Sequence, residues 1–333
     1  MESAVGLRIG INGLGRIGRG LLRQLWTDGR FRVAALNDVA DGAAIAHLLN
    51  HDTYYGNWIY GCKVIPEGLQ IGDRTVTLFH HPRPEQIPWE EWGVDWVVEA
   101  TGRFKDRASL EGHRCPVVLT ASSGAADRQV VFGINHGEVS AQDRILSATS
   151  CTTHCVVPPL HALSRRWKSK AVLFNTVHCY NVSQTLVDAP QSDLRRARAA
   201  ALNLIPTTTS ASVSVEAVLP ELRGKVRGMA VRVPAPAVSL TEITMELESP
   251  VQENEVRAVL EEAARGDLTG ILAVSREELV SQDFLGHPAS CVVDLPLVQV
   301  QGCLVRLVCW YDNEAGYVHR LVDLLAHLGE MRE

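Results

Sequence analysis

Short apolar runs alternate with amphipathic segments through the first half of the chain, the rhythm of successive βαβ units. Residues 7–12 predict a strand, and residues 16–26 a helix with Ile17, Leu21, Leu22 and Leu25 along one face. A second strand follows at 31–36 and a helix at 43–49. Between 58 and 79, turn signals break up alternating residues and predict a hairpin excursion. The continuous β-rich run 94–100 fits a strand buried on both faces. Runs at 117–119, 130–133 and 144–147 continue the strand series to a boundary near residue 150. Beyond it the pattern changes. Residues 151–167 read as a helix with Pro158-Pro159 near its first turns or at a kink. Long alternating stretches at 171–180, 226–233, 238–247 and 304–311 then suit an antiparallel sheet with one covered face. The segment 181–206 is polar, Arg-rich and aperiodic, and a loop of that length in a compact domain is usually functional or interfacial. Residues 314–328 predict an amphipathic helix that packs back on the first domain.

Composition narrows the class. The 333 residues are 46% hydrophobic and 21% charged, as in a globular protein of two domains. The net charge of -6 gives no footprint for nucleic acid, so that partner is not expected. No apolar run reaches the roughly 18 residues of a membrane span. Residues 1–8 lack the pattern of a signal peptide, so a cytoplasmic protein is expected. Eight scattered cysteines do not form a disulfide framework, and Cys151/Cys155 at i, i+4 find no further pair to complete a metal site; none is expected.

Gly13-x-Gly15-x-x-Gly18 joins the first strand to the first helix, where glycines allow a tight turn and close backbone approach to a pyrophosphate. Asp38 ends the second strand, 20 residues after Gly18. A carboxylate there accepts hydrogen bonds from the ribose hydroxyls and repels a 2′-phosphate, which favours NAD over NADP. Ser150-Cys151-Thr152-Thr153 falls where a strand hands over to a helix. The helix dipole at that place lowers a thiol pKa. On position alone Cys151 is either a buried structural cysteine or a nucleophile, His178 either a core histidine or a base, and spacing does not show whether they meet.

Several motifs carry a resemblance over essentially the whole length: INGLGRIGR near the start, SCTTHC at 150–155, DLRRARAAALNLIPTTT at 193–209, LPELRGKVRGMAVRVPAPAVS at 219–239 and WYDNEAGY at 310–317. The chain resembles the phosphorylating glyceraldehyde-3-phosphate dehydrogenase family. The erythrose-4-phosphate dehydrogenases are close relatives, and VADGAAIAHLLNHDT, PWEEWGVDWVVE and VVFGINHGEVSAQDRILS are comparably similar to them. The resemblance implies an α/β fold: a Rossmann-type doubly wound NAD domain over 1–150, completed by the C-terminal helix 314–333, and an α+β catalytic domain over 151–313 with a mostly antiparallel sheet. It implies that the INGLGRIGR segment, with Gly13, Gly15, Arg16, Ile17 and Gly18, binds NAD together with Asp38, and that Asn313 holds the nicotinamide carboxamide. Cys151 matches the nucleophile and His178 its base, with the Cys151 N–H as an oxyanion donor. Arg232, Ser183 and Asn181 match the site for the substrate's own phosphate. Ser150, Thr152, Thr209 and Arg198 match the site for attacking inorganic phosphate, with Ser210 beside it. The implied reaction oxidises glyceraldehyde 3-phosphate through a thioester in a homotetramer whose 181–206 loop lies at a subunit interface. The alternatives are erythrose 4-phosphate oxidation with hydrolysis, a specialised paralogue, and a non-catalytic relative with Cys151 and Cys155 as an oxidation switch.

The chain departs from the pattern in four places. His154 stands where the family usually has Asn, Asn181 and Ser183 where it has threonines, and Ser210 where it has glycine. Ala189-Pro190 resembles forms that use both cofactors, while the charge of Asp38 argues for NAD.

Overall fold

A computed structural model describes residues 6–332, so most of the 1–8 segment and residue 333 lie outside the described residues. The chain divides into two compact units, one running to Thr149 and resuming at Val318, the other Ser150–Tyr317.

The first unit opens with β1 (Leu7–Asn12), α1 (Arg16–Thr27), β2 (Phe31–Asn37) and α2 (Gly42–Asn50). Helix α1 buries Leu21, Leu22, Leu25 and Trp26, while Ile17 stays half-buried. Helix α2 is started by the Asp41 carboxylate, which accepts from the N–H of Ala43 and Ala44 at 3.1 and 3.3 Å. The excursion is β3 (Cys62–Ile65), β4 (Gly68–Ile71) and β5 (Arg74–Phe79), an antiparallel meander. Its last strand lies parallel to β2. Then come β6 (Trp96–Glu99), α3 (Arg107–Glu111), β7 (Val117–Leu119), β8 (Arg128–Gln129) and β9 (Ile145–Ser147). Nine strands form one sheet in the order β3-β4-β5-β2-β1-β6-β7-β9-β8, parallel from β5 onward. This is the doubly wound architecture, with β1 at its centre, and β6 is buried at every position. The strand expected at 130–133 is displaced to Arg128–Gln129. Residues 131–135 close a turn instead, in which the Ile134 and Asn135 N–H groups both donate to the Val131 carbonyl. The Asn135 side chain accepts from the Val131 N–H.

The second unit begins with α4 (Cys151–Ser164), which runs through both prolines without a break; they lie in its second half, not its first turns. It continues with β10 (Ser169–Cys179), β11 (Ile205–Thr207), α5 (Ala211–Val218), β12 (Val226–Val233), β13 (Ser239–Leu247) and α6 (Glu253–Arg265). The last strands are β14 (Leu272–Ser275), β15 (Cys291–Asp294), β16 (Gln299–Gln301) and β17 (Leu304–Tyr311). The sheet order is β11-β12-β10-β13-β17-β15-β14, with β16 paired to β17. Its pairings are mostly antiparallel, as expected, with β10–β12 and β14–β15 the parallel exceptions. The chain between β10 and β12 crosses over through the 181–206 loop and α5, and that length permits parallel return. Helix α4 packs on β13, β15 and β17, with α5 and α6 alongside. β13 alternates buried and half-buried residues along its whole length, as one covered face requires. The final helix, α7 (Ala315–Glu330), starts in this unit and from Val318 counts with the first.

Candidate active site

In the first unit the chain turns from β1 into α1 through three glycines, two of which leave no room for a Cβ. Gly13 holds φ 95°, and a Cβ there would lie 2.7 Å from the Thr101 nitrogen. A Cβ on Gly18 would lie 1.9 Å from the Gly13 carbonyl oxygen. Gly15 caps α1 with no side chain to satisfy the helix's first N–H groups, and a Cβ there would meet nothing within 4 Å. The result is a close-packed backbone wall with oriented donors at an open edge, which suits a pyrophosphate. Asp38 stands beside it, accepting from the Leu14 N–H at 2.6 Å and the Ala40 N–H at 2.9 Å. Each carboxylate oxygen has lone pairs to spare for a ribose. Arg16 turns its side chain away to Asp52 at 2.5 Å and over the Tyr54 ring, so its contribution to the cradle is its peptide group.

A buried polar ladder under this edge escaped the reading of the sequence. Asn12, Asn37 and Glu99 end the three central strands β1, β2 and β6. Asn37 donates to the Asn12 side-chain oxygen at 2.8 Å, and Asn12 donates to Glu99 at 2.5 Å. Glu99 also accepts from the Thr101 N–H at 2.9 Å and lies 3.1 Å from His113 Nε2. Trp89 Nε1 donates to His113 Nδ1, so the imidazole proton sits on Nε2 and points at the carboxylate. The signal was available: three apolar strands each end on a polar residue.

In the second unit Ser150 caps α4, its Oγ accepting from the Thr153 N–H at 3.2 Å. Thr149 just before it holds φ 52°, which costs a β-branched residue about 1–3 kcal/mol and aims the helix start. Cys151 is the first residue of the helix and is half-buried. Its Sγ lies 3.6 Å from His178 Nε2. His178 Nδ1 is 2.7 Å from the Cys179 carbonyl, which can only accept, so the ring proton is on Nδ1 and the Nε2 lone pair faces the thiol.

β10 and β12 place Arg232 directly beside His178, as parallel register partners with side chains on one face. Arg232 Nη1 donates to the same Cys179 carbonyl at 3.2 Å, and its Nε is buried with no hydrogen-bond partner among the described residues. A half-buried guanidinium whose Nε donor is unused, beside a thiol, is suited to receive an anion. Cys179 joins a third residue as well, its thiol donating to the Asn313 side-chain oxygen at 3.1 Å. It is the hub of the site, and nothing in its sequence context marks it beyond its place after His178.

The electrostatics correct one expectation. Burial pushes the Cys151 thiol up to about 11, although the Arg232 guanidinium and the N–H groups at the helix start pull it down. Burial, and then the Arg232 charge, push His178 down to about 3. The resting pair is therefore neutral: thiol hydrogen facing imidazole lone pair. Desolvation outweighs the helix dipole here.

The remaining anticipated residues are dispersed or engaged. Thr152 Oγ1 lies 3.1 Å from the Tyr311 hydroxyl. Asn181 accepts from the Ser183 N–H at 3.0 Å and from its hydroxyl at 2.6 Å. Thr209 accepts from the Ala211 N–H at 3.2 Å, and Ser210 caps α5 without a side-chain bond. Arg198 pairs with Asp188 at 2.9 Å, both well exposed. Cys151, His178, Arg232 and Asn313 are thus brought together, whereas Arg198 is exposed and paired with Asp188.

With this geometry in place, comparison with known proteins decides the family. Residues 150–313 match the C-terminal domain of glyceraldehyde 3-phosphate dehydrogenase, and residues 7–107 match its NAD binding domain. The chain belongs to the glyceraldehyde-3-phosphate dehydrogenase family. Relatives bearing that name are 41% identical in Geobacillus stearothermophilus over 328 residues, covering 97% of this chain and 98% of the relative. In Streptomyces coelicolor one is 41% identical over 331 residues, with 97% and 98% covered. One in Bacillus cereus is 40% identical over 327 residues, with 96% and 98% covered. The glyceraldehyde-3-phosphate dehydrogenase NAD binding domain thus contains the Gly13–Gly18 cradle, and its C-terminal domain contains the Cys151–His178 pair.

Proposed function

We propose that this chain oxidises glyceraldehyde 3-phosphate with NAD and inorganic phosphate, through a thioester on Cys151. The observation that carries the reading is the Cys151 Sγ at 3.6 Å from a His178 ring whose tautomer is fixed by the Cys179 carbonyl. The relatives' names support the triose over the tetrose.

The thiol gives its proton to His178 Nε2 as sulfur bonds to the aldehyde carbon, and the proton passes on to the new oxygen to give a hemithioacetal. His178 then takes the hydroxyl proton as the carbon loses hydride. NAD, when bound, supplies the hydride acceptor. The cradle of Gly13, Gly15 and Gly18, with the peptides of Arg16 and Ile17, fits its pyrophosphate, and Asp38 its ribose. Asn313, its oxygen occupied by Cys179, would have its amide N–H left to offer a nicotinamide carboxamide. Phosphate oxygen attacks the thioester carbon, the C–S bond breaks, and the Cys151 thiolate leaves with the acyl phosphate free. Arg232, Ser183 and Asn181 hold the substrate's phosphate. Ser150, Thr152, Thr209 and Ser210 hold the attacking one, and Arg198 joins them by exchanging Asp188 for the anion.

The 181–206 loop carries exposed leucines, among them Leu186, Leu194 and Leu202, the last 84% exposed. Apolar exposure of that extent marks an interface, which supports self-association through this loop, in keeping with the homotetramer that the family resemblance implies. Leu202→Glu should yield smaller assemblies by light scattering; an unchanged mass would remove the loop from the interface.

The experiment is NADH formation from glyceraldehyde 3-phosphate, with and without phosphate. Phosphate-dependent turnover lost in Cys151→Ser supports the reading. Turnover of erythrose 4-phosphate without phosphate refutes it.

A further inference from the structure

The motif around the nucleophile holds a second histidine that the reaction as derived leaves idle. His154 lies three residues into α4 after Cys151 and is buried. Its ring Nδ1 is 3.1 Å from the Ser150 carbonyl oxygen, and its peptide N–H reaches the same oxygen at 3.0 Å. A carbonyl only accepts, so the ring carries a proton on Nδ1 and one oxygen takes two bonds from one residue. The ring also stands edge-on to Tyr317, centroids 5.4 Å apart and planes at 86°, which fixes its direction.

The Ser150 carbonyl and the Cys151 N–H are the two ends of one peptide group. A second donor on the oxygen draws electron density along the amide and makes the N–H a stronger donor. That N–H belongs to the first turn of the helix, where the ladder offers it no acceptor. It is one of the groups that pull the Cys151 thiol down against burial. The N–H and the sulfur belong to one residue, so an oxyanion on a carbon bonded to that sulfur would form beside this donor.

We propose that His154 is a positioning residue for acylation. Through the Ser150 carbonyl it locks and polarises the Ser150–Cys151 peptide, whose N–H stabilises the oxyanion formed when sulfur adds to the aldehyde and when phosphate adds to the thioester. The proposal rests on Cys151 as the nucleophile. Cooperative strengthening runs at about 10–30% per bond, and one oxyanion donor is worth about 10²- to 10³-fold in rate. Loss of the ring donor should then slow acylation by about two- to eightfold.

The test compares His154→Phe, which keeps a ring against Tyr317, with His154→Ala, in two assays. Stopped-flow NADH bursts with glyceraldehyde 3-phosphate report acylation. Iodoacetamide alkylation of Cys151 forms a C–S bond with no oxyanion. The expected result is a burst slowed two- to eightfold at unchanged amplitude, with alkylation as in the wild type. Alkylation that slows in step with the burst overturns the proposal, because His154 would then act on the thiol or the fold. An unchanged burst rate in both variants overturns it too. A wild-type chain that alkylates yet gives no burst overturns the nucleophile reading itself, and this inference with it.

Discussion

Replacing Gly18 by alanine tests the cofactor cradle at its tightest point. The new Cβ would lie 1.9 Å from the Gly13 carbonyl oxygen, where ordinary contact begins at 3.4 Å, so the gap must open by about 1.5 Å. That is the rise of one helical residue. Neither side yields easily. Gly13 is wedged against Thr101 and donates its N–H to the Asn37 carbonyl at 2.8 Å, and α1 is pinned by Leu21, Leu22 and Leu25 in the core. Overpacking of side chains costs about 1–3 kcal/mol, and a backbone clash belongs at the upper end. At about 2–4 °C per kcal/mol, the melting temperature of the unit should fall by about 6–12 °C. Moving the first turn of α1 also misdirects charge-assisted bonds worth about 1.5–3 kcal/mol, which weakens NAD binding by about 10- to 150-fold. Calorimetric titration with NAD and thermal unfolding read the two effects separately. Gly15→Ala is the control: its Cβ enters open space, so stability should change by less than about 1 kcal/mol, the cost of a poorer cap. NAD affinity should still fall if the pyrophosphate lies there. A Gly18→Ala chain with native melting and native affinity would refute the cradle.

Two further outcomes follow from the second unit. Arg232→Gln removes the guanidinium beside Cys151 and should lower kcat/KM for the phosphorylated aldehyde by about 30- to 100-fold through lost charged hydrogen bonds. The unphosphorylated aldehyde should be nearly indifferent, and an equal loss for both would place the arginine elsewhere. His178 is held down to about 3 from an ordinary 6.5, so between those values the unfolded chain binds a proton that the folded chain does not. Stability should fall as pH drops from about 6.5, at up to about 1.4 kcal/mol per pH unit from this group. Denaturant melts of His178→Asn should show a shallower acid slope, and parallel slopes would mean His178 is not buried neutral.

The parts of the fold legible in the sequence are those set by local rules. Glycine spacing between a strand and an amphipathic helix marked the turn at Gly13–Gly18, because steric demands at Gly13 and Gly18 admit no side chain. The boundary near residue 150 and the helix after it followed from the end of the strand series and a change of period. What escaped depends on neighbours distant in the chain. The parallel pairing of β10 with β12 is invisible to alternation, which is the same in either direction. The Val130–Gly133 run looked like a strand, yet Asn135 captures the Val131 N–H and folds it into a turn. The thiol of Cys151 was expected low from its helix position, but burial, a tertiary property, lifts it. Cys179 gathers His178, Arg232 and Asn313 through a backbone carbonyl and a thiol, and a single residue letter cannot announce that.

The pairing of His178 with Arg232 across β10 and β12 ties chemistry to hydrogen-bond registry. Because side chains alternate faces, sliding one strand by a single residue would point Arg232 to the opposite side and bring Val231 or Val233 beside the imidazole. Such a chain would keep its secondary structure and lose its anion receptor. On the proposed function, catalytic competence therefore acts as a proofreader of this sheet. Single-residue insertions or deletions within β12 ahead of Arg232 should be purged from functional lineages, while changes in the connecting crossover, which leave the pairing frame intact, can accumulate.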